Sequence, residues 1–461
     1  MFLDLPVDIK LAIYAFLAPE DILALNQTCR GLHAFGCLDY VWHQVTIDLP
    51  LDLPLKRGIK SLTSAELQPI VVKALQLERN WRGHPGRPRK LHQMQSCDAI
   101  VNQMQPLGSE WLVTLLRLPT TFQLCIWSLK DDKCHRIAET PTALYFHAAL
   151  QSEFKGTVAF IQFDGIEHLN IYSIHLPRKL GDKCSIRLCR GISRSKEHGR
   201  FFDVQVCGNL VAAGVARFPD PVSDPSYEML LVNTTSDARW LFRPGMPSNI
   251  ERLRFRVLPD RVMVIGVKQR STLVTSIYAL PPSILGRGDE RTFTSGIEAE
   301  EAAVLTSHHE SAPSPLGDDL HIPTSTTANS SWFPVIIFPD FFHQNRAGYV
   351  FNVPSGPLPA QLSPAMMTQA FRTRAKTSAN VVCLGTTGRR AIWLQRRWDT
   401  DEFELMRGTF SRTEAPKVQP LLPKHVALPF ETQSCLSLAF DEALGRVYVG
   451  LTTGGLYILE F

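Results

Sequence analysis

Residues 2–45 read FLDLPVDIKLAIYAFLAPEDILALNQTCRGLHAFGCLDYVWHQV, and apolar side chains recur in the first part of this stretch at helical spacing. The members of this apolar stripe are Leu5, Ile9, Ile13 and Leu17, with Ala12 and Phe16 between them. Their spacing places them on one face of a helix. Pro6 suits the first turn of that helix, where no N–H is needed, and Asp4 is a candidate N-cap.

Two further short helices are expected in the same stretch. Pro19 is placed to open the second helix, and two acidic residues follow it, where negative charge complements the N-terminal end of a helix. The third runs from Thr28 to about Phe35, and Val41 and Trp42 close the unit. Helices this short are unstable alone, and a unit of about 45 residues has little core. So much apolar surface on a small unit indicates that a partner protein buries part of it.

The order and spacing of these residues resemble the F-box, a family of short helical domains. Its pattern runs from Leu-Pro through apolar residues at helical spacing and an Asp-Leu-like pair to a Cys/Ser-Arg step and an apolar-Trp pair. The matching residues here are Leu5-Pro6, Ile9, Ile13, Leu17, Asp21-Ile22, Cys29-Arg30 and Val41-Trp42. One residue departs from the pattern, since Leu32 stands where many members have Trp. The alternative is an ordinary helical cap on a larger domain.

The resemblance implies both a partner and a role. F-box proteins bind a Skp adaptor, which joins them to a cullin, so the chain is expected to be a substrate-recruiting subunit of an SCF-type cullin–RING ubiquitin ligase. It would carry out no bond chemistry itself and would hold a target near the ubiquitin-charged enzyme. The residues expected to supply or support the Skp contact are Leu5, Pro6, Ile9, Ile13, Leu17, Ile22, Leu25, Cys29, Leu32, Val41 and Trp42.

The sequence divides into three predicted regions: an F-box over residues 1–47, a linker over 48–90 and a β-domain over 91–461. Apolar residues at helical spacing predict a linking helix at about 63–82, with Ser61 or Thr63 as its cap. An F-box, a helix ending in Asn-Trp-Arg and a β-rich body together resemble many F-box proteins of fungi. Gly86-Arg87-Pro88 resembles the core of an AT-hook. A single such core favours a solvated linker, so nucleic acid is not expected as a partner.

From about residue 91 the sequence changes to short apolar or alternating runs separated by turns, which is typical of strands. Similar strand ends recur, and Trp127 and Tyr172 lie 45 residues apart, close to the length of one propeller repeat. The body therefore resembles a degenerate β-propeller with six or seven blades, although it lacks the signature of WD repeats. Residues Leu91–Met94 are expected to pair with the last strand and close the ring. The alternative fold is a set of packed β-sandwich domains.

One segment of the β-domain has a different composition. Residues from about 286 to 331 are rich in Ser, Thr, Pro, Gly and acidic residues, so a disordered insertion between two blades is expected there. Its hydroxyl groups are candidate phosphorylation sites. His308, His309 and Glu310 are not expected to bind a metal ion, because adjacent side chains point apart and no further ligands have useful spacing.

The composition of the 461-residue chain, with 44% hydrophobic and 20% charged residues, is that of a globular protein. A formal net charge of +4 gives no strong field toward nucleic acid or anionic membranes. No apolar run has the length needed to span a bilayer. The ten cysteines lack paired spacing, which favours reduced thiols. A cytoplasmic or nuclear location is therefore expected, with no membrane contact.

Two other functions remain open at the level of the sequence. One is an F-box protein that uses the Skp contact for assembly or trafficking and ubiquitinates nothing. The other is a propeller enzyme with a helical appendage, which would need a deep polar axial pocket containing titratable groups. The sequence contains no P-loop, nucleophile elbow or zinc-protease motif. We therefore expect neither a catalytic site nor a cofactor.

Overall fold

The computed structural model describes most of the chain. The described residues are 4–45, 47, 49–54, 57–83, 88–94, 98–177, 184–194, 199–218, 225–236, 238–247, 249–285, 298–299, 304–311, 319–323, 332–338, 347–354, 367–374, 376–410, 415–423 and 425–461. Gly86 and Arg87, in the segment that resembles an AT-hook, lie outside them, as does much of the segment 286–331.

Four short helices form the N-terminal unit, and a longer fifth helix follows. Their bounds are α1 Val7–Ala15, α2 Pro19–Asn26, α3 Arg30–Gly36, α4 Asp39–Gln44 and α5 Ser64–Arg82. The sequence predicts only three short helices, and α4 is the addition; it buries Val41 and Trp42. Pro6 is the N-cap of α1 rather than a first-turn residue, and no side chain caps this end. Thr63 caps α5, and a capping box joins it to Glu66.

Seven sheets follow one another around a ring. Blade 1 consists of β2 Ile100–Leu107, β3 Trp111–Arg117, β4 Phe122–Ser128 and β5 Cys134–Thr140. Blade 2 consists of β6 Tyr145–Ser152, β7 Lys155–Phe163, β8 Glu167–His175 and β9 Ser185–Arg194. Blade 3 consists of β10 Arg200–Cys207, β11 Leu210–Arg217, β12 Ser226–Asn233 and β13 Arg239–Phe242, with the short β17 Glu298–Ala299. Blade 4 consists of β14 Ile250–Val257, β15 Arg261–Lys268, β16 Thr272–Ala279 and β18 Val304–Glu310. Blade 5 consists of β19 Asp319–His321, β20 Trp332–Phe338, β21 Ala347–Pro354 and β22 Met367–Arg372. Blade 6 consists of β23 Thr377–Leu384, β24 Arg390–Arg397, β25 Phe403–Thr409 and β26 Lys417–Pro420. Blade 7 consists of β27 Cys435–Asp441, β28 Arg446–Leu451, β29 Leu456–Glu460 and β1 Lys90–Gln93.

The ring closes in blade 7 with strands from distant parts of the chain. β1 pairs antiparallel with β29, and Lys90 lies opposite Glu460 while Gln93 lies opposite Tyr457. The pairing of the segment after the linker with the last strand is therefore confirmed, as is the propeller, which has seven blades. The alternative of packed β-sandwich domains is wrong.

Apolar layers between adjacent blades form the core of the propeller, one layer in each gap. Successive side chains of a strand point to opposite faces of its sheet. In β15, for example, Val262 and Val264 pack toward blade 3, whereas Met263 and Ile265 pack toward blade 5. A strand buried on both faces needs a continuous apolar run, which is the pattern of this part of the sequence.

The segment expected to be a disordered insertion contains strands where the structure describes it. Residues 304–310 form β18, the outer strand of blade 4, and 319–321 form β19, the inner strand of blade 5. A polar composition indicates only that a segment can bury little apolar surface. An outer strand can be held by backbone hydrogen bonds to one neighbour while its side chains stay polar. His308 illustrates this, since its ring contacts Ser276 of β16 at 3.0 Å.

The two faces of the propeller differ in what lies on them. Loops that join the first and second strands of a blade lie on one face, here called the helix face, and loops that join the second and third strands lie on the other, here called the open face. α5 docks on the helix face, at residues 385–389 of blade 6 and 442–445 of blade 7. There the ring of Trp81 stacks on Phe440 with centroids 5.3 Å apart and meets the edge of Phe461 at 5.8 Å.

A buried charge network joins α5 to the same two blades. Glu78 accepts hydrogen bonds from Arg390, from Arg389 at 3.3 Å and from Arg82 at 2.7 Å. Arg390 also donates to the backbone carbonyl of Glu442 at 3.1 Å. Burial alone would raise the pKa of Glu78, but Arg390 and Arg389 outweigh it and the pKa lies below its usual value. The pKa of Glu442 is raised instead, because burial dominates over its arginine neighbours.

Replacing Trp81 with Ala should remove the aromatic contact between α5 and the propeller. Because Trp81 is fully buried, we expect a loss of roughly 3–5 kcal/mol in the free energy of unfolding. Urea denaturation followed by circular dichroism measures it. The matched control is Trp398→Ala, at a tryptophan that is 43% exposed, with an expected loss below about 1 kcal/mol. Equal losses in both variants would contradict the docking role of Trp81.

Replacing Glu78 with Gln should weaken the junction and change its pH dependence. Breaking a buried ion pair costs roughly 3–5 kcal/mol at neutral pH. Since the pKa of folded Glu78 is lowered, its contribution is present above the pKa of the unfolded state and is lost as pH falls through the folded pKa. The difference between wild type and variant should therefore shrink in acid.

Unfolding free energies of both proteins across the acid range test this expectation. The control is Glu110→Gln, where the carboxylate pairs with Lys130 on the surface and should contribute less than about 1 kcal/mol. A wild-type to Glu78→Gln difference that stays constant, or grows, as the pH is lowered would show that Glu78 is not held as the charged partner of Arg390.

Candidate partner-binding site

The interior of the N-terminal unit is built from a few large side chains. Three of the residues predicted to supply or support the partner contact belong to this interior, namely Ile22, Val41 and Trp42. Leu32 is also buried but lies outside the interior cluster. Tyr14, which the sequence analysis did not single out, is also fully buried and meets the ring of Phe35 edge-on at 5.0 Å. Burial raises the pKa of Tyr14. These residues shape the unit from inside and are not available to a partner.

Hydrogen bonds fix the helices of the unit around this interior. Trp42 Nε1 donates to the carbonyl oxygen of Gly36 at 2.8 Å. Gly36 has no room for a side chain, because an added Cβ would lie 1.8 Å from Asn26 Oδ1. Asp39 Oδ1 accepts from the backbone N–H of Ser64 at 2.6 Å, and this bond lowers the pKa of the Asp39 carboxyl. α4 is thereby tied to the start of α5.

The outward face of α1 carries the residues that the sequence places on its apolar stripe. Leu5 and Ile13 are half-buried, Ile9 is 44% exposed, and none of the three belongs to the interior cluster. Leu17 and Leu25 pack partly buried against that cluster. The remaining predicted contact residues, Pro6 and Cys29, are exposed. The structure thus divides the predicted set into an inner supporting group and an outer accessible group.

Four further apolar side chains of the unit are exposed and were not among the predicted contact residues. They are Val7, Phe16, Leu38 and Tyr40. Phe16, directly after α1, is 91% exposed, the largest value among the exposed apolar side chains of the described residues. Its position seven residues after Ile9 puts both on the same side of the helix. The helical period therefore signals Phe16, whereas Leu38 and Tyr40 start a helix that the sequence analysis did not predict.

α5 fixes this surface relative to the propeller. Its first half, with Leu67, Val71 and Leu75, packs into the interior of the helical unit. Its second half, with Leu77 and Trp81, packs into the layer between blades 6 and 7. One helix therefore belongs to two cores, and the outward face of α1 has a defined direction relative to the ring.

A groove lies between α2 and α5 on the flank of the helical unit. Two adjoining cavities of about 310 and 350 Å³ share Glu20, Leu75 and Arg79 in their walls. The floor is apolar, and the end nearest the propeller is closed by Arg389.

Neither metal ligation nor a membrane span is found among the described residues. Within those ranges no group of three His, Cys, Asp or Glu side chains is arranged to hold a metal ion. His308 Nε2 and Glu310 Oε1 approach to 3.4 Å on β18. No helix in the described part of the chain is long and apolar enough to cross a membrane.

Comparison with solved structures finds chains of low sequence identity. A chain of the crystal structure of the mitotic checkpoint complex is 10% identical, with a TM-score of 0.41, over 81% of this chain and 95% of that one. The β-propeller domain of Myceliophteria thermophila Cps50 (Swd1) is 13% identical, with a TM-score of 0.48, over 80% and 98%. The acylaminoacyl peptidase of Pyrococcus horikoshii is 8% identical, with a TM-score of 0.43, over 76% and 48%. No functional conclusion about this chain follows from these likenesses.

Comparison with families and with curated proteins concerns the N-terminal unit. No curated protein matches the chain. Residues 2–48 match the model of the F-box-like family, and this range covers α1 to α4. The chain therefore carries an F-box-like domain at its N-terminal unit, followed by a seven-bladed β-propeller.

Proposed function

We propose that the chain is a non-catalytic, substrate-recruiting adaptor of an SCF-type cullin–RING ubiquitin ligase. Its F-box-like domain would bind a Skp adaptor, and through it a cullin, and the propeller would bind the target protein. The observation that carries this proposal is the outward apolar face of α1 in a domain that matches the F-box-like family. The proposed role belongs to the cytosol or the nucleus.

The apolar face of α1 is costly to leave in water. Ile9 and Phe16 lie outside the interior cluster, and the domain folds around other side chains. Burial of one large apolar side chain contributes roughly 1.5–3 kcal/mol. Two such residues on one helix, next to the half-buried Leu5 and Ile13, favour a protein partner that covers them. Interface energy concentrates in a few central apolar residues of this kind.

The arrangement of the two domains suits a positioning role. α5 is held in both cores, and the open face of the propeller lies on the side of the ring opposite to α5. A target bound on the open face would be held at a fixed distance from a Skp adaptor bound at α1. Such tethering raises the effective concentration of the target near the conjugating enzyme without any chemistry by this chain.

Replacing Ile9 and Phe16 with Asp should abolish binding to Skp. Placing two charges in an apolar contact removes its central anchors, so the affinity should fall by roughly 100-fold or more. Co-purification of the full chain with the Skp protein of the same cell measures it. The control is Leu188→Asp, at an apolar residue of the outer strand of blade 2 that is 53% exposed, with unchanged binding expected.

Point substitutions are preferable to removal of the domain, because deletion of residues 1–45 would uncover Leu67 and Val71 of α5. Skp binding that survives in the Ile9→Asp/Phe16→Asp protein would refute the assignment of the α1 face. If Skp binds through α1, the lifetime of captured partners with and without proteasome inhibition distinguishes a ubiquitin ligase adaptor from an F-box protein used for assembly. Partner lifetimes that respond to neither the F-box variant nor the inhibitor would contradict the ligase role.

A further inference from the structure

A cluster of arginines surrounds one buried carboxylate on the open face, between blades 2 and 3. Glu228 is 1% exposed. Its Oε2 accepts from Arg217 Nε at 2.8 Å and from Arg194 Nη2 at 3.2 Å, and its Oε1 accepts from Arg243 Nε at 2.9 Å. Arg194 and Arg217 end β9 and β11, and Arg243 follows β13. The glutamate and the three arginines therefore come from four elements of two blades, and their charged groups meet at one place.

The described residues of this cluster include more arginines than carboxylates. A buried carboxylate needs a partner, and one arginine would serve. Here three guanidinium groups face Glu228 and the nearby Glu167, which lies opposite Arg194 in the sheet and accepts from the backbone N–H of Phe201. Among the described residues of the cluster, three guanidinium groups therefore stand against two carboxylates. The most accessible of the three is that of Arg243, whose side chain is 74% exposed.

Two of the arginines keep their outer donors for another acceptor. In the part of the chain that the structure describes, Arg217 and Arg243 contact Glu228 through Nε alone. Both terminal amino groups of each guanidinium remain, and these two groups match the two oxygens of a carboxylate. Because Glu228 holds each arginine through Nε, the guanidinium groups are already oriented before a ligand arrives.

Exposed apolar side chains flank the cluster on both sides. Phe218 follows Arg217 directly and is 61% exposed, and Ile166 precedes Glu167 and is 46% exposed. Leu144 and Tyr145, at the start of the inner strand of blade 2, are also exposed on this face. Aromatic and arginine side chains side by side are typical of the centres of protein interfaces.

We propose that this region, here called the arginine surface and made of Ile166, Arg217, Phe218 and Arg243, binds an acidic peptide segment with an apolar residue among its carboxylates. The carboxylates would accept from the amino groups of Arg217 and Arg243, and the apolar residue would cover Phe218 or Ile166. The inference rests on the proposed function only in taking the segment to belong to the recruited target, and it assigns that target a chemistry.

Other anionic partners fit this surface less well. Nucleic acid binding requires many cations along a phosphate backbone, whereas the described residues of this cluster include three arginines and the whole chain carries only +4. A local pair of bidentate donors beside apolar side chains matches one or two carboxylates and a neighbouring apolar residue. That combination is found in an acidic protein segment.

Selection from a phage library of random short peptides on the immobilised full chain tests the proposal. We expect selected peptides to be enriched in Asp and Glu around a large apolar residue. Binding of a selected peptide, followed by fluorescence anisotropy, should weaken in high salt. Arg217→Gln/Arg243→Gln should lower its affinity by roughly tenfold to a hundredfold, since two charge-assisted contacts are lost.

Matched variants make the result decisive. Arg396→Gln/Arg397→Gln removes the same charge from blade 6 on the same face and should leave binding unchanged. Arg243→Gln alone keeps Glu228 paired with Arg194 and Arg217 and covers the case in which the double variant is unstable; it should still weaken binding. Selection of peptides without acidic enrichment, or binding that survives both arginine variants, would overturn the proposal.

One further variant tests whether aspartates of the chain itself, rather than a peptide, pair with the arginine surface. Asp220 and Asp224 lie in the sequence just after Phe218, outside the described residues. Suppose that acidic peptides are selected by the Asp220→Asn/Asp224→Asn protein but not by the wild type. In that case these aspartates occupy the cluster in the wild type, and the arginine surface is not a docking site. The selection uses no Skp protein, so it succeeds or fails independently of the test of the α1 face.

Discussion

The ion pair between Glu78 and Arg390 is the contact on which the relation between the two domains depends. A carboxylate withdrawn from water must be paired closely with a cation, because an unpaired buried charge is strongly destabilising. Arg390 is itself fully buried and held by the backbone of Glu442. α5 therefore has one permitted depth and rotation on the propeller, and the surrounding apolar contacts of Trp81 fill in around that fixed point.

The α1 face and the arginine surface have opposite chemistry. The α1 face is apolar and belongs to a domain too small to bury it. The arginine surface is charged, with its guanidinium groups held in place by a buried glutamate. An apolar face suits a constant partner, because burial of apolar surface gives affinity with little discrimination between partners. Paired hydrogen-bond donors discriminate between ligands, because a ligand without matching acceptors leaves the donors unpaired. A chain that joins a common scaffold to a particular target requires both kinds of surface.

Local features of the structure could be predicted from the sequence, and long-range features could not. The four-residue spacing of Leu5, Ile9 and Ile13 predicts the apolar face of α1, and the strand-like segment at Leu91 predicts the closure of the ring. The fourth helix was missed because α4 has only six residues. β18 was missed because polar outer strands lack apolar periodicity. Glu78 and Arg390 lie 312 residues apart, so no window of sequence shows that they meet.

The closure of the ring by β1 and β29 has a consequence for the synthesis of the protein. β1 is made before the other strands that the structure describes, yet its pairing partner in the sheet is β29, which is made after them. Blades 6 and 7, which receive Glu78 and Trp81, are made after the other five blades. Domains fold as the chain is made, so the helical domain can form early but acquires its fixed orientation only after blades 6 and 7 have been made. Incomplete chains would present the α1 face without a defined direction relative to any bound target.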